Sequence, residues 1–503
     1  MDTDASDNIY LGGCFSDGAL ILRNDTLKKP YSGTSHLYVA KYSPNGDILW
    51  GRAADSSDSH SETKALCTDS SGNVYIAGTF GKYLKFGPKT LIANGFASKG
   101  LFIAKYNTNG DLLWATAESY DGSILLETIK VDHLGGIYIG GHFNGNKISF
   151  GADTLRNLNF QKSPAGFLAK YDKNGNISWS RKVGCVVSSI VVERKGNIYI
   201  CGGYYDSLIS GSLVFNNNGN NLGYIVKFDR SGNTLWIKST INLNGTGRFT
   251  SVGQDADDNV YLFGDYGGSI KFDSVVFDNY GYLIIKLREN GDFISAKNIR
   301  YSGVGGIKNV SFTPDGRLII SGIFYTSLRV ENQIIYPYIK RDAVNTPNIF
   351  LGSIGDDGSL SGLSVIPSGE KGADISEMKL LPQGNLLIAG ILYDYALFGN
   401  DSITNAEGFF LAKTDNLLTS AKELPLGNSD FTIYPNPTAN FFYIQSQEPI
   451  DVINIYNLTG QLIHSYQAAE NAVGYDISAI NDGVYIVDIQ TKDIRRFTKL
   501  MKR

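Results

Sequence analysis

The sequence is poor in cysteine, has no excess of basic residues and contains no long apolar run. Its 503 residues include four cysteines and carry a formal net charge of −4. Nucleic acid is therefore not an expected partner, because phosphate recognition needs clustered Lys and Arg. No apolar run approaches the roughly 18 residues of a membrane-spanning helix, so no transmembrane segment is predicted.

The first residues, Met1-Asp2-Thr3-Asp4, lack the charged and apolar regions of a secretory signal peptide. We therefore expect the chain to have lost its N-terminus or to begin after a signal that has been removed.

The four cysteines, Cys14, Cys67, Cys185 and Cys201, align to strand positions in different repeats. In a hairpin that turns near Lys195-Gly196, Cys201 would face Ser189 or Ile190 rather than Cys185. Buried thiols are therefore expected, although an exported chain would also permit a disulfide.

Known catalytic and metal-binding motifs are also missing. The sequence has no Gly-x-Ser-x-Gly, no phosphate-binding loop before a helix and no cysteine paired with a histidine in a protease-like motif. Its five histidines do not have the spacing of a zinc site and are expected in exposed loops: His36, His60, His133, His142 and His464. The acidic stretch Asp255-Ala256-Asp257-Asp258-Asn259 is interpreted as a turn, with a calcium loop as the alternative. No metal or cofactor is predicted, and we expect the protein not to be an enzyme.

What the sequence does contain is a repeat. Its 57 glycines and 56 Tyr and Phe residues, with no long helical period, are typical of an all-β protein. One glycine recurs five residues after a turn in seven units: Gly13, Gly78, Gly141, Gly202, Gly264, Gly322 and Gly390. All four tryptophans occupy one equivalent place in the first four units: Trp50, Trp114, Trp179 and Trp236.

Each unit has the pattern of a four-stranded antiparallel meander, with strands A to D joined by Gly-Asn and Asn-Gly turns. Such a small sheet cannot bury both of its faces alone, so the seven units are expected to close into a ring with the A strands lining a channel. Only Met1–Thr3 are available for strand A of the first unit, so the first unit is predicted to be clipped. The connections between strands B and C are predicted to form small extra hairpins.

The repeated pattern Asp-x-x-Gly-Asn-x-Tyr-x-x-Gly, followed by Phe-x-Ala-Lys-Tyr-x-x-Asn-Gly-x-x-x-Trp, resembles seven-bladed β-propellers built of bacterial repeats related to the SBBP and NHL types. The resemblance covers residues 1–426. It implies a fold and brings no catalytic residue with it.

After residue 426 the pattern changes. Residues 427–503 resemble the type A sorting domain of the bacterial type IX secretion system, on motif positions Tyr434, Pro435, Asn436, Pro437, Gly483, Tyr485 and Lys499. The resemblance implies a small immunoglobulin-like β-sandwich that brings its cargo to the outer-membrane translocon through the periplasm. The protein is then secreted or held on the outer-membrane surface. A fibronectin-like module is the alternative interpretation.

Recurring acids before the A–B turns and recurring lysines in strand C, such as Asp69 and Lys105, are assigned to structure. Irregular aromatics in the B–C connections are better ligand candidates, and the predicted binding residues are Tyr83, Tyr205, Tyr325 and Tyr393. We therefore expect a secreted binding or adhesion module for an extracellular glycan or protein. A glycan-active lyase or glycosidase, or a scaffold for another exported protein, is the alternative.

Overall fold

A computed structural model describes residues 1–16, 18–22, 25–28, 35–57, 60–93, 99–158, 163–205, 207–211, 213–216, 219–313, 315–331, 333–335, 346–355, 359–366, 368–369, 371–382, 384–394, 396–398, 401–403, 408–414, 431–434, 436, 438–446, 450–457, 461–467, 474–490 and 495–502. Within these ranges the protein is all-β and has no helix. The described part of the chain accordingly contains no helical segment with the length and hydropathy of a membrane span.

The described strands between residues 1 and 413 follow an antiparallel order that we divide into seven successive sheets, numbered here 1 to 7. Sheets 1 to 6 each have strands A to D in sequence order, and one long strand joins sheets 5 and 6. Sheets 1 and 2 use β1 (Asp2–Thr3), β2 (Ile9–Phe15), β3 (Ala19–Leu22), β4 (Asp25–Lys28), β5 (His36–Tyr42), β6 (Ile48–Ala53), β7 (Ser56–Ser57), β8 (Ser61–Thr68), β9 (Val74–Phe80), β10 (Tyr83–Phe86), β11 (Lys89–Ile92), β12 (Gly100–Tyr106) and β13 (Leu112–Tyr120). Strands A to D are β1, β2, β5 and β6 in sheet 1, and β8, β9, β12 and β13 in sheet 2.

Sheets 3 and 4 repeat this order. They use β14 (Ser123–Val131), β15 (Ile137–Asn144), β16 (Lys147–Phe150), β17 (Asp153–Arg156), β18 (Ala165–Tyr171), β19 (Ile177–Lys182), β20 (Val186–Val192), β21 (Ile198–Tyr204), β22 (Ser207–Ser210), β23 (Leu213–Asn216), β24 (Leu222–Phe228) and β25 (Thr234–Ser239). Strands A to D are β14, β15, β18 and β19 in sheet 3, and β20, β21, β24 and β25 in sheet 4.

Sheets 5 to 7 use β26 (Ile241–Asn242), β27 (Thr246–Gln254), β28 (Val260–Gly267), β29 (Ile270–Phe272), β30 (Val275–Phe277), β31 (Tyr280–Leu287), β32 (Phe293–Phe312), β33 (Leu318–Val330), β34 (Gln333–Ile335), β35 (Asn348–Ile354), β36 (Leu360–Ile366), β37 (Ala373–Leu380), β38 (Leu386–Leu392), β39 (Ala396–Phe398), β40 (Asp401–Ile403) and β41 (Gly408–Lys413). The long β32 supplies strand D of sheet 5 and then strand A of sheet 6. Sheet 7 has strands A to C in its described part.

The central strands B and C are the most buried parts of the sheets because both of their faces are covered. All seven residues of β9 are buried, and so are all seven of β21. The turn that precedes β9 contains Gly72 at φ +75°, a left-handed conformation that favours glycine. The Gly-Asn turns and the apolar strands after them therefore have the structure that the repeat predicts.

Strand A carries a β-bulge at the same register in six sheets. The strand-B partner changes by one between Thr63 and Ala65 in sheet 2 and between Leu126 and Thr128 in sheet 3. The residues that stand opposite no partner are Lys64, Glu127, Ser188, Thr250, Lys308 and Ser376. A bulge bends its strand and re-aims a side chain, so these six residues interrupt the inner strands at one level.

The B–C connections contain the predicted hairpins, and several of these hairpins also pair with the preceding sheet. β10 pairs with β7 after sheet 1, β16 pairs with the end of β13, and β29 pairs with β26 after sheet 4. Ile148 in β16 is fully buried and lies opposite Tyr120 of sheet 2. These three hairpins therefore join neighbouring parts of the succession and are not free loops.

Each tryptophan joins its sheet to the next one. Trp50 Nε1 donates to the carbonyl of Thr108 at 3.0 Å, and Trp114 Nε1 donates to that of Lys173 at 3.2 Å. Trp179 and Trp236 make the same bond to Arg230 and Glu289. A glycine of the receiving C–D turn lies against each indole ring: Gly110, Gly175, Gly232 and Gly291. We call these four contacts the tryptophan latches.

Apolar clusters fill every space between consecutive sheets. A further cluster packs Leu381, Leu387 and Ala389 of sheet 7 against Ile9 and Leu11 of sheet 1. The carboxylate of Asp2 in β1 also contacts Lys379 of β37. The seven sheets therefore form a closed succession in which the last packs on the first.

The C-terminal region has two sheets around one core. They use β42 (Phe431–Tyr434), β43 (Phe441–Ser446), β44 (Val452–Asn457), β45 (Leu462–Gln467), β46 (Tyr475–Asp476), β47 (Gly483–Gln490) and β48 (Arg495–Lys502). The sheet orders are β42-β43-β46 and β45-β44-β47-β48. Phe442, Ile453 and Val487 are among the residues of the shared core.

The described motif residues of the sorting domain lie at or near strand ends, and two of them bond to each other. Tyr434 ends β42, Gly483 begins β47, and the carbonyl of Lys499 in β48 accepts a hydrogen bond from Asn436. Tyr485 Oη donates to the carbonyl of Asn481 at 2.7 Å. Pro435 and Pro437 lie outside the described residues.

Two expectations about single residue types need correction. All four cysteines are thiols and Cys201 lies opposite Ser189 as predicted, but Cys14 is exposed rather than buried. His36, His142 and His464 lie in strands and not in loops: His36 is buried against the carbonyl of Ala54, His142 belongs to β15, and the exposed His464 belongs to β45. His36 and His142 alternate with apolar neighbours along the chain, and this pattern is typical of a β-strand.

Candidate functional site

The two ends of the ring differ in chemistry. Antiparallel order places the A–B and C–D turns at one end and the B–C and D–A connections at the other, which we call the mouth. Charged and imidazole side chains of the inner strands gather toward the mouth. This mouth cluster consists of His60, Glu62, Lys64, Glu127, His142, Arg248, Asp265, Lys308 and Asp374.

In sheet 2, Glu62 is the centre of the cluster. Its Oε2 lies 2.9 Å from Lys64 Nζ and its Oε1 lies 3.2 Å from His60 Nε2. The hydroxyl of Thr79 on strand B also donates to Oε1 at 3.2 Å. Burial opposes ionisation, but the hydrogen bonds from Lys64 and His60 outweigh it and lower the pKa of the Glu62 carboxyl. Glu62 is therefore an ionised acceptor in a fixed position.

In sheet 3, the bulge at Glu127 points a second carboxylate toward His142 on strand B. Glu127 Oε1 lies 3.6 Å from His142 Nδ1. Burial raises the pKa of Glu127 and lowers the pKa of His142. Environments that favour the neutral form of both partners are a property of proton-transfer sites.

Charges from two other sheets act on Glu127. The positive charges of Arg248 in sheet 5 and Lys64 in sheet 2 act on Glu127, and both work against the rise in its pKa. Arg248 Nε itself lies 3.0 Å from Asp265, and Lys308 Nζ lies 2.6 Å from Asp374. The mouth therefore presents paired charges of both signs and not a single-sign field.

At the opposite end, the charged side chains bond to backbone amides of their own turns and to lysines of the same sheet. Asp69 Oδ1 accepts from the amides of Ser71 and Asn73, each at 3.0 Å, and its Oδ2 accepts from Tyr75 Oη at 3.0 Å and lies 3.4 Å from Lys105. Asp4 with Lys41, Glu193 with Lys227, and Asp255 with Lys286 form corresponding ion pairs. These carboxylates cap turns and pair with lysines, which is the structural role predicted for them.

The acidic loop follows the same scheme. Asp255 Oδ1 accepts from the amides of Asp257 and Asn259 at 3.0 and 2.8 Å. One carboxylate of the loop is therefore occupied as a turn cap. Among the described residues, no three His, Cys, Asp or Glu side chains gather in a way that could hold a metal ion.

The four predicted tyrosines lie in four different sheets on the mouth side. Tyr205, Tyr325 and Tyr393 occupy equivalent positions just after the inward residue that ends strand B, in sheets 4, 6 and 7. Tyr83 begins the hairpin strand β10 of sheet 2. Tyr205 is 42 % exposed, whereas Tyr325 packs in part against the core between sheets 6 and 7. The structure brings three of them to one level, but distributes them around the mouth.

Sequence reasoning did not find the mouth cluster. Its members are separated by up to 314 residues, from His60 to Asp374, and they occupy strand positions whose residue type changes in each sheet. The signal that could have identified them is positional. Lys64, Glu127 and Lys308 are charged residues at the bulge of strand A, a place where an apolar or small residue would serve the core equally well.

Comparison with known proteins identifies the C-terminal region. Residues 432–503 match the family of secretion system C-terminal sorting domains. This confirms the predicted sorting domain, and the protein is a secreted or cell-surface protein whose tail directs export by the type IX system.

The chain is similar to a repeat protein. The chain is 23% identical over 376 residues to an uncharacterised WD repeat-containing protein of Acanthamoeba polyphaga mimivirus. The match covers 60% of this chain and 26% of the viral protein, so it spans about a quarter of that relative's length.

Solved structures give weaker likenesses. The extracellular domain of the hybrid two-component system BT4673 of B. thetaiotaomicron is 11% identical, with a TM-score of 0.23 over 97% of this chain and 75% of that one. A polysaccharide lyase of family PL25, an ulvan lyase, is 11% identical, with a TM-score of 0.38 over 86% and 90%. An apocarotenoid oxygenase of Synechocystis is 9% identical, with a TM-score of 0.32 over 66% and 69%. All three scores lie below 0.5, so no inference about this chain rests on them.

Proposed function

We propose that residues 1–426 are a seven-bladed β-propeller that binds an extracellular glycan or protein at its mouth, and that residues 427–503 deliver it to the cell surface. The seven sheets are the proposed blades, and the first has a two-residue inner strand. The packing of sheet 7 on sheet 1 supports ring closure. The similarity to a WD repeat-containing protein agrees with a propeller.

The C-terminal region is proposed to be an immunoglobulin-like sandwich. Its two sheets share one apolar core that includes Phe442, Ile455 and Val487. In this interpretation the sandwich is the segment that the type IX translocon recognises.

The observation that supports ligand binding is the convergence of polar side chains at the mouth. Glu62, Arg248 and Asp374 come from three different sheets and offer both donors and acceptors there. Mixed donors and acceptors beside aromatic rings suit the hydroxyl groups and apolar faces of sugars. At the other end, the carboxylates of the turns already accept hydrogen bonds from backbone amides.

The test is a triple substitution of Tyr83, Tyr205 and Tyr325 by alanine. We expect attachment to glycan-coated surfaces or to cells to fall at least about tenfold while the urea midpoint changes little, because Tyr205 is exposed and the other two are partly so. The control is His133→Ala with Leu134→Ala, which changes exposed side chains on an A–B turn at the opposite end. Equal loss of attachment in the control, or no loss in the triple variant, would show that the ligand does not bind at the mouth.

A glycan-active enzyme is the second candidate, and the Glu127–His142 contact favours it. The pair lies in the mouth beside the charges of Arg248 and Lys64, and burial favours the neutral form of both partners. Depolymerisation of a polysaccharide by the purified ring, abolished by His142→Gln, would promote this candidate over simple binding.

A further inference from the structure

One contact of the mouth is not explained by ligand binding. The hydroxyl of Ser35 lies within hydrogen-bonding distance of His60 Nδ1, on the side of the ring opposite to the Nε2 that faces Glu62. The three side chains thus form a line from hydroxyl to imidazole to carboxylate. Ser35 comes just before β5 of sheet 1, and His60 comes just before β8 of sheet 2.

The backbones of both residues are fixed by neighbouring strands. The carbonyl of Ser35 accepts from the amide of Ser61 at 2.9 Å, and the carbonyl of His60 accepts from the amide of Gly81 at 2.9 Å. The interface between sheets 1 and 2 therefore holds the serine and the histidine in register.

Glu62 determines which nitrogen of His60 can act as a base. Nε2–H donates to the Glu62 carboxylate, so Nδ1 carries the lone pair that faces the Ser35 hydroxyl. Lys64 and Thr79 hold that carboxylate from its other sides. The side chain of His60 is 43% exposed, so a substrate can approach the pair from the mouth.

We propose that Ser35, His60 and Glu62 form a nucleophilic site that hydrolyses acyl esters. The Ser35 hydroxyl adds to the ester carbonyl carbon while His60 takes its proton. The bond from the carbonyl carbon to the alcohol oxygen then breaks, and His60 returns the proton to the departing alkoxide. Water, deprotonated by His60, then adds to the acyl carbon of the acyl-serine. The bond from that carbon to Ser35 Oγ breaks, His60 returns the proton to the serine oxygen, and the carboxylic acid is released.

Ester-bearing carbohydrate is the substrate class that this site fits. The alcohol part of such an ester is a sugar hydroxyl, and Glu62, Lys64 and Thr79 offer donors and acceptors beside His60. Ser35 and His60 are catalytic residues in this proposal, and Glu62 is a positioning residue. The proposal goes beyond the binding function and does not depend on it.

Cys14 is the competing nucleophile in this region. The residue is exposed, but its thiol is partly desolvated. This desolvation and the negative charge of Glu62 outweigh the hydrogen bond with Ser35 and raise the pKa of the thiol. The thiol is therefore protonated at neutral pH and is a poor nucleophile there.

The experiment treats the full chain with a fluorophosphonate probe and locates the adduct by peptide mass spectrometry, with p-nitrophenyl acetate hydrolysis measured in parallel. We expect an adduct on Ser35 and none in Ser35→Ala. His60→Gln should slow labelling at least about 100-fold. Glu62→Gln should slow it as well and move the midpoint of its pH profile to lower pH, because the imidazolium no longer faces a carboxylate. His133→Gln and Cys14→Ala should label like the unsubstituted protein.

Unfolding curves of each variant separate loss of the site from loss of the fold. If a variant at His60 does not fold, Ser35→Cys in the Cys14→Ala background provides a second measurement, since a thiol beside this imidazole should react with iodoacetamide at least about tenfold faster than a free cysteine. No adduct on Ser35 in the folded protein, labelling that survives His60→Gln, or an adduct only on Cys14 would each overturn the proposal.

Discussion

At the scale of single residues, the same turn geometry is used with and without a buried ion pair. Asp69 caps its turn and also contacts Tyr75 and Lys105, and its side chain is 14% exposed. Asp172 caps a C–D turn through the amides of Asn174 and Asn176 at 2.8 and 2.9 Å, in an exposed setting. Comparing Asp69 with Asp172 therefore separates the contribution of the turn cap to stability from that of the ion pair.

We predict that Asp69→Ala lowers the free energy of unfolding by about 3 kcal/mol, because it leaves Lys105 without a counter-ion in a largely buried place. Asp172→Ala, the matched control, should cost about 1 kcal/mol for its turn bonds. Urea unfolding of both variants measures the difference. Equal losses would mean that the ion pair contributes nothing to stability, and neither substitution should affect attachment.

Asp69 also makes the stability of the fold depend on pH in acid. Burial works to raise the pKa of Asp69, but hydrogen bonds from Asn73 and Tyr75 outweigh it and lower the pKa. Its stabilising contribution is therefore complete above the unfolded pKa of about 3.9 and is lost as the pH falls through the lower folded value. The stability of Asp69→Ala should accordingly depend less on pH below about pH 4 than that of the unsubstituted protein.

The glycines of the C–D turns offer a second comparison. Gly175 has φ +84°, and a Cβ there would lie 2.8 Å from the Trp114 ring, whereas Gly46 has φ +84° and no atom within 4 Å of a Cβ. Gly46→Ala should cost about 1 kcal/mol for the left-handed backbone alone. Gly175→Ala should cost about 3 kcal/mol, because it also displaces the indole. Equal urea midpoints for Gly46→Ala and Gly175→Ala would show that displacing the indole ring costs no stability.

At the scale of elements, the B–C hairpins act as connectors between sheets. Ile148 of β16 is fully buried, while Ile209 of β22 is 45% exposed. We predict that Ile148→Ala lowers the free energy of unfolding by about 3 kcal/mol. Ile209→Ala, which changes the same residue type on the equivalent hairpin of the next sheet, should stay within about 0.5 kcal/mol of the unsubstituted protein. Similar values for both would contradict the role of the hairpins in joining sheets.

The elements also show which features are visible in a sequence. Strand B of sheet 2, Val74–Phe80, was predictable because the Gly-Asn turn and the following apolar residues repeat in each unit. The hairpin of sheet 3 was predictable from Phe150-Gly151, but its pairing with Ser119 and Tyr120 was not, since that contact joins two different units.

The candidate site was less predictable for a related physical reason. Glu127 meets His142 because a bulge inserts one residue into strand A, and a bulge changes register without a marker in the residue types. His60 meets Ser35 because two sheets pack side by side, and the sequence separation between these residues gives no indication of that contact. The tyrosines were found because they interrupt a regular pattern, but regularity does not reveal which side chains converge.

At the scale of the whole molecule, export and folding are assigned to different regions. We predict that deletion of residues 428–503 leaves a folded, protease-resistant ring in the periplasm, because the ring has its own cores and the address lies in the sorting domain. Cell fractionation and surface proteolysis measure this, with Asp172→Ala in the full chain as an export-competent control.

If the truncated chain reached the surface at normal levels, the ring would carry its own export signal. We further predict that the sorting domain is cleaved off during export, so that protein recovered outside the cell lacks the peptide that contains Tyr434-Pro435-Asn436-Pro437. Intact-mass spectrometry decides between removal and retention.

The four tryptophan latches lie between sheets 1 and 5, and at the same register sheets 5 and 6 have Ser295 and Gly362. The indole-to-carbonyl bonds are therefore confined to one part of the succession of sheets. Because the chain continues from sheet 7 to the sorting domain, we expect a pulling force on the C-terminal end to separate sheets 7 and 6 before sheets 1 to 5, which the latches join.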